Sequence, residues 1–129
     1  MRILLDTQCW LWMQAEPTRF SARTRKLIIE PANELLLSVA SVWEIAIKIE
    51  LGKLKLPVPI DEYVTSRLAR QGVRSLPIEQ AHALRVALLP RHHRDPFGRI
   101  LIAQAQVEGV PILTSDRAFR AYDAKVIPA

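Results

Sequence analysis

Three short apolar runs constrain the architecture of this 129-residue chain: Ile3-Leu4-Leu5, Leu35-Leu36-Leu37 and Ile112-Leu113. None alternates apolar with polar residues, so each is expected to be a strand buried on both faces of a parallel sheet. The runs stop on polar residues (Asp6, Ser38 and Thr114-Ser115-Asp116), and longer helical stretches separate them. Short buried strands alternating with helices give an α/β fold. In open sheets of that kind, ligands gather in the crevice beyond the C-terminal strand ends. Asp6 stands at such an end; taken alone, it reads first as the cap of the following helix.

The remaining features narrow the class. The length suits one domain over residues 1–129, and 50% hydrophobic with 24% charged residues is the balance of a folded chain rather than a disordered tail. No apolar run reaches the roughly 18 residues of a membrane span. The N-terminal stretch, with Arg2 and Asp6 around an apolar run, does not resemble a signal peptide. Cys9 is the only cysteine, which excludes an internal disulfide; the expected location is the cytoplasm, away from any membrane. Lys and Arg number 18 against 13 Asp and Glu, a net charge of +5 that suits a polyanionic partner.

Along the chain, a helix is expected from Gln8 to Met13, with Trp10 and Trp12 too close in sequence to share one face. Ser21 caps a helix through Glu30 whose Arg23, Arg25 and Lys26 suit either phosphate contact or a solvated face. Val39 to Leu51 is the strongest helical pattern and ends at Gly52. Within it Glu44 has two readings: the partner of Ser41 in a capping box, or an acid held in an apolar wall and aimed at the same crevice as Asp6. A proline-marked loop, Lys53 to Pro59, precedes a helix from Asp61 to Gln71. Val73 to Leu76 reads as a short strand and Ile78 to Leu89 as a helix, in which His82 is an ordinary surface or packing residue. Asp95-Pro96 is a helix start, with Asp as N-cap and Pro at the first helical position. Arg91, His92, His93 and Arg94 stand before it as a group of bases able to grip a phosphate. A short helix from Arg117 to Tyr122 and an edge strand over Asp123 to Ile127 close the chain.

Asp6, Glu44, Asp95 and Asp116 each stand where a strand ends or a helix begins, and a parallel sheet carries those places to one side. Clustered carboxylates repel one another unless a cation compensates. An all-oxygen set favours Mg²⁺ or Mn²⁺ over Zn²⁺. With the basic balance, this points to metal-dependent hydrolysis of nucleic acid. The chain has no G-x-G-x-x-G, no G-x-x-x-x-G-K-[ST] and no G-x-S-x-G, so dinucleotide binding, P-loop chemistry and nucleophile-elbow esterase chemistry lack their residues.

Four segments, ILLDTQCWLW, SVASVWEIAIKIELGKL, HRDPFGRILIAQA and ILTSDRAF, in this order and spacing, resemble the PIN-domain ribonucleases, and among them the VapC-type toxins of toxin–antitoxin pairs. The resemblance covers nearly the whole chain. It implies a three-layer α/β/α sandwich around a short parallel sheet, with Mg²⁺ or Mn²⁺ held by Asp6, Glu44 and Asp116. It implies hydrolysis of RNA phosphodiesters by a metal-activated water. Thr114, Ser115, Arg94 and Arg99 are the expected substrate contacts, and the expected partners are RNA, a VapB-like antitoxin whose tail lies over the site, and a second copy in a homodimer.

Two positions depart from the family pattern. Gln8 replaces a usual His that is not a metal ligand. Gly98 replaces the second Asp of the family's Asp-Pro-Phe-Asp-Arg, the usual third acid, at a helical position where Gly costs roughly 1 kcal/mol relative to Ala. Three explanations are open: Asp95 substitutes in the site, the protein holds metal weakly and cuts slowly, or the change is inactivating. The rival reading is a catalytically silent module that keeps the fold and binds antitoxin or RNA without cutting.

Overall fold

The run at Ile3 becomes the central strand of the sheet. In the computed structural model, which describes residues 1–92 and 95–129, β1 (Arg2–Leu5) pairs in parallel with β2 (Glu34–Ser38) on one side and β4 (Ile112–Thr114) on the other. β3 (Arg74–Leu76) extends the sheet beyond β2, and β5 (Val126–Pro128) extends it beyond β4, giving the parallel order β3-β2-β1-β4-β5. Register is set by pairs such as Leu4 with Leu36 and Leu5 with Leu113.

Side chains alternate across the pleat, so the uninterrupted apolar runs feed two cores at once. Ile3, Leu5, Leu35, Leu37 and Leu113 face one core together with Trp10, Ile45, Tyr63 and Val64. Those partners come from α1 (Thr7–Ala15), α3 (Val39–Glu50) and α4 (Ile60–Gln71). Leu4, Leu36, Leu76 and Ile112 face the opposite core, built on Leu101, Ile102, Ala103 and Ala105 of α6 (Pro96–Glu108). Each fully buried leucine or isoleucine contributes about 2 kcal/mol from burial alone. The result is a three-layer α/β/α sandwich.

Local signals account for most helix ends. Ser21 accepts from Thr24 N–H at the start of α2 (Ala22–Ile29), and Asp95 accepts from Phe97 N–H at the start of α6. Gly72 ends α4 in the left-handed conformation, at φ 65°. Trp10 is buried while Trp12 is only partly so, as their spacing requires.

Two expectations are corrected. The helix over 78–89 is shorter, α5 (Gln80–Val86), because Glu79 is its N-cap. After Val86 the chain tightens into successive three-residue hydrogen bonds, ending with Leu89 N–H on the Val86 carbonyl. Of the surface and packing readings of His82, the surface one falls: the ring is buried. Its Nδ1 accepts Glu79 N–H at 3.0 Å, which leaves the ring proton on Nε2, 3.0 Å from Glu108 Oε2. This buried ring ties α5 to α6.

Candidate active site

From β1 the chain moves outward to β2 and β3, then returns across the sheet to β4 and β5. The switch in direction falls between β1 and β4, the place where a parallel sheet opens a crevice at its C-terminal edge. Asp6 follows β1 there, and Thr114-Ser115-Asp116 ends β4. The first turn of α3 starts from the neighbouring β2, and the N-terminus of α6 comes in from the opposite layer. Asp6, Glu44, Asp95 and Asp116 line one cavity of about 140 Å³, with Thr7, Lys48, Gly98, Ser115 and Phe119 among the other wall residues.

Each strand-end acid is also a cap. Asp6 Oδ1 accepts Cys9 N–H at 2.7 Å, Asp95 Oδ1 accepts Phe97 N–H at 3.0 Å, and Asp116 Oδ1 accepts Ala118 N–H at 2.9 Å. The two readings of these residues therefore coexist: a capping bond occupies one oxygen and fixes the rotamer of a side chain that lines the cavity. For Glu44 the capping-box alternative is overturned. Ser38 is the N-cap of α3 and accepts Ala40 N–H at 3.0 Å, so Glu44 lies in the second turn, past the free N-terminal amides. Its Oε1 accepts the Thr7 hydroxyl at 2.6 Å, and its Oε2 lies 3.1 Å from Lys48 Nζ. Ser41 Oγ is 2.9 Å from Thr7 Oγ1, so the two hydroxyls brace the acid from α1 and α3.

Asp6 is the most constrained of the four. Only 6% of its surface is exposed, and its Oδ2 accepts the Thr114 hydroxyl, which in turn accepts Asp116 N–H at 3.0 Å. That chain locks the end of β1 to the end of β4. Burial pushes the Asp6 carboxyl above its ordinary value, the Thr114 and Cys9 hydrogen bonds pull the other way, and the charge of Glu44 raises it further. Burial and the neighbouring Asp6 also push the Cys9 thiol far up, leaving it inert.

The expected substrate contacts separate. Ser115 lines the acid cavity, whereas Thr114 is committed to Asp6 and Asp116. The Arg99 guanidinium donates to the carbonyls of Pro90, Val86 and Leu89 and lies 3.4 Å from Tyr122 Oη, so it anchors the segment between α5 and α6. Arg94 lies outside the described residues, as does His93. Sequence reasoning missed Thr7 and Lys48. Lys48 is four residues after Glu44, a helical ion-pair spacing that could have revealed it; nothing local marks Thr7.

A model of the PIN domain family matches residues 3–125. The chain belongs to the PIN-domain family. Within that family it is of the VapC type: Ribonuclease VapC22 of Mycobacterium tuberculosis is 31% identical over 121 residues, 93% of this chain and 91% of that protein. Ribonuclease VapC16 of the same organism is 46% identical over 59 residues, 46% of this chain and 42% of that relative. Among solved structures, VapBC2 from Rickettsia felis, bound to a DNA fragment from its promoter, has the same fold, with a TM-score of 0.74 at 11% identity, covering 100% of this chain and 99% of that one. VapBC-1 from nontypeable Haemophilus influenzae gives 0.66 at 16% identity, covering 99% and 98%. The PIN-domain sandwich expected from the four sequence segments is thus the fold of this chain.

Among the described residues, no three His, Cys, Asp or Glu side chains stand close enough together to hold a metal ion at once. Mg²⁺, however, retains several waters and needs only one or two carboxylates directly. The carboxylates on the cavity walls offer only hard oxygen donors, and the buried Asp6 beside Glu44 fits such an ion, with Lys48, paired to Glu44, as the cation already present. A metal ion there relieves the repulsion between the acids that Lys48 offsets only at Glu44.

Proposed function

We propose that this PIN-domain chain is a metal-dependent endoribonuclease, the toxin of a toxin–antitoxin pair. The observation that carries the reading is the convergence of Asp6, Glu44, Asp95 and Asp116, from four separate places in the chain, on one cavity at the sheet's switch point. The names of the VapC relatives support RNA as substrate, and the VapBC structures support an antitoxin partner. Exposed apolar side chains such as Trp43 and Leu88 leave surface for protein contacts, an antitoxin and a second copy of the chain included.

Asp6, Glu44 and Asp116 do not stand close enough to share one ion as direct ligands, which corrects the expected three-acid set; Asp6 with Glu44 would hold Mg²⁺ or Mn²⁺, and Asp116 would reach it through a coordinated water. When bound, such an ion supplies charge to the phosphodiester oxygens and acidifies a coordinated water. The chain's own contribution is positional. Thr114 fixes Asp6 relative to Asp116, and Thr7 fixes the Glu44 carboxylate so that it can orient the attacking water or take its proton. Lys48 brings a positive charge to a phosphate seated over the acids. Asp95 takes the place of the acid absent at position 98: its Oδ2 is 3.5 Å from where a Cβ on Gly98 would lie.

Incubation of the purified chain with single-stranded and structured RNA tests the reading. Internal phosphodiester cuts are expected with Mn²⁺ or Mg²⁺ and none with EDTA. RNA that is bound yet left intact with either metal would favour the silent module.

A further inference from the structure

Beside the acid cavity lies a larger one of about 530 Å³, between α1, α4 and the segment that leads into α4. Gln8 and Lys48 line both, so the two adjoin. Lys53, Lys55 and Arg67 join Lys48 on the walls of the larger one, where Glu16 is the single acid among the described residues.

The placement of these cations follows from the backbone. Over 53–56 the chain alternates: Lys53 and Lys55 are exposed, while Leu54 and Leu56 pack against the core. The leucines thereby anchor the segment and turn both lysines outward. Arg67 is held over the Tyr63 ring at 3.6 Å, so its guanidinium loses little freedom on meeting an anion. On the other side of the acids, Arg117 and Arg120 line a cavity that shares Ser115 and Asp116 with the acid cavity. Positive groups therefore flank the carboxylates in both directions. Charged side chains scattered over a surface are ordinarily only solvating; these line a groove that runs into the acids.

We propose that the groove of Lys48, Lys53, Lys55 and Arg67 is the track that holds the phosphate backbone of a single RNA strand to one side of the bond to be cut, an inference that rests on the ribonuclease reading. With Lys48 paired to Glu44, Lys53, Lys55 and Arg67 still outnumber Glu16 on these walls and favour a polyanion. A cavity of about 530 Å³ has room for sugar–phosphate units of one strand. Because the contacts are to phosphate, the grip is largely independent of sequence.

The test is fluorescence anisotropy with a labelled 12-nucleotide single-stranded RNA in EDTA, where binding is read without cutting. The double variant Lys53→Ala, Lys55→Ala removes two exposed side chains and is compared with Arg23→Ala, Lys26→Ala, an equal loss of charge on α2. The groove variant is expected to bind about tenfold more weakly, with a salt dependence shallower by about 1.4 in log–log slope, roughly 0.7 for each phosphate that is no longer neutralised. The α2 variant is expected to match the parent. Equal affinity and slope in the groove variant, or equal losses in both variants, would overturn the track while leaving the ribonuclease reading intact. A groove variant that keeps RNA binding but loses an antitoxin co-produced from an adjoining reading frame would assign the groove to protein instead. A parent chain that neither binds nor cuts RNA would overturn both proposals.

Discussion

Asp6→Asn is expected to lower RNA cleavage by on the order of a hundredfold or more while leaving the folded chain at least as stable at neutral pH. The loss follows from the place of Asp6 on the wall of the acid cavity, where removing one preorganised electrostatic group costs roughly 10² to 10³ in rate. The stability follows from its pKa. Because burial raises the folded-state value above the unfolded one, protonated Asp6 favours folding at acid pH, and that contribution is lost as the pH rises through the folded pKa. At pH 7 the buried charge is a cost that Asn does not carry. Asn still accepts Cys9 N–H, so the cap survives, and its Nδ2 donates to Thr114 Oγ1 where the Asp6 Oδ2 accepted from it. Thermal melts at pH 5 and pH 7 beside a cleavage assay check both halves. A variant that melts well below the parent at neutral pH would mean that Asp6 is structural first.

Asp95→Asn is expected to lower cleavage by tenfold or more while keeping the N-cap of α6, so that the variant still melts cooperatively. Asn and Asp are equivalent N-caps, so the bond to Phe97 N–H and the start of α6 are preserved. The cap is kept while the charge that lines the cavity is removed. Asp95→Ala would blur the result, because loss of the cap costs about 1 kcal/mol by itself. The contrast matters because of Gly98. A Cβ there would lie 3.2 Å from Phe119 Cε1, tighter than normal contact, so this chain has packed an aromatic ring against the position where the family pattern carries an acid. If cleavage by Asp95→Asn equals that of the parent, Asp95 is a cap alone and the site works with three acids.

The legible parts of the fold are those written locally. Apolar runs without alternation gave β1, β2 and β4, and Asp95-Pro96 gave the start of α6, since each signal involves neighbours in sequence. The order of strands is set by contacts such as Leu4 with Ile112, far apart in the chain, and no local pattern carries it. Glu44 shows the same limit at the site. A capping-box glutamate and a cavity-facing glutamate look alike in sequence; only the location of the N-cap at Ser38 and the Thr7 hydroxyl separates them. Arg99 is a comparable case, because its carbonyl partners at Pro90, Val86 and Leu89 depend on how the chain turns between α5 and α6.

Titration of Mn²⁺ into the chain, followed by electron paramagnetic resonance of the free ion, tests the shared carboxylate cavity most directly. The parent is expected to remove Mn²⁺ from solution saturably, and Asp6→Asn to do so at least tenfold more weakly. Saturable uptake that is unchanged in Asp6→Asn, or no uptake by the parent, would contradict the account.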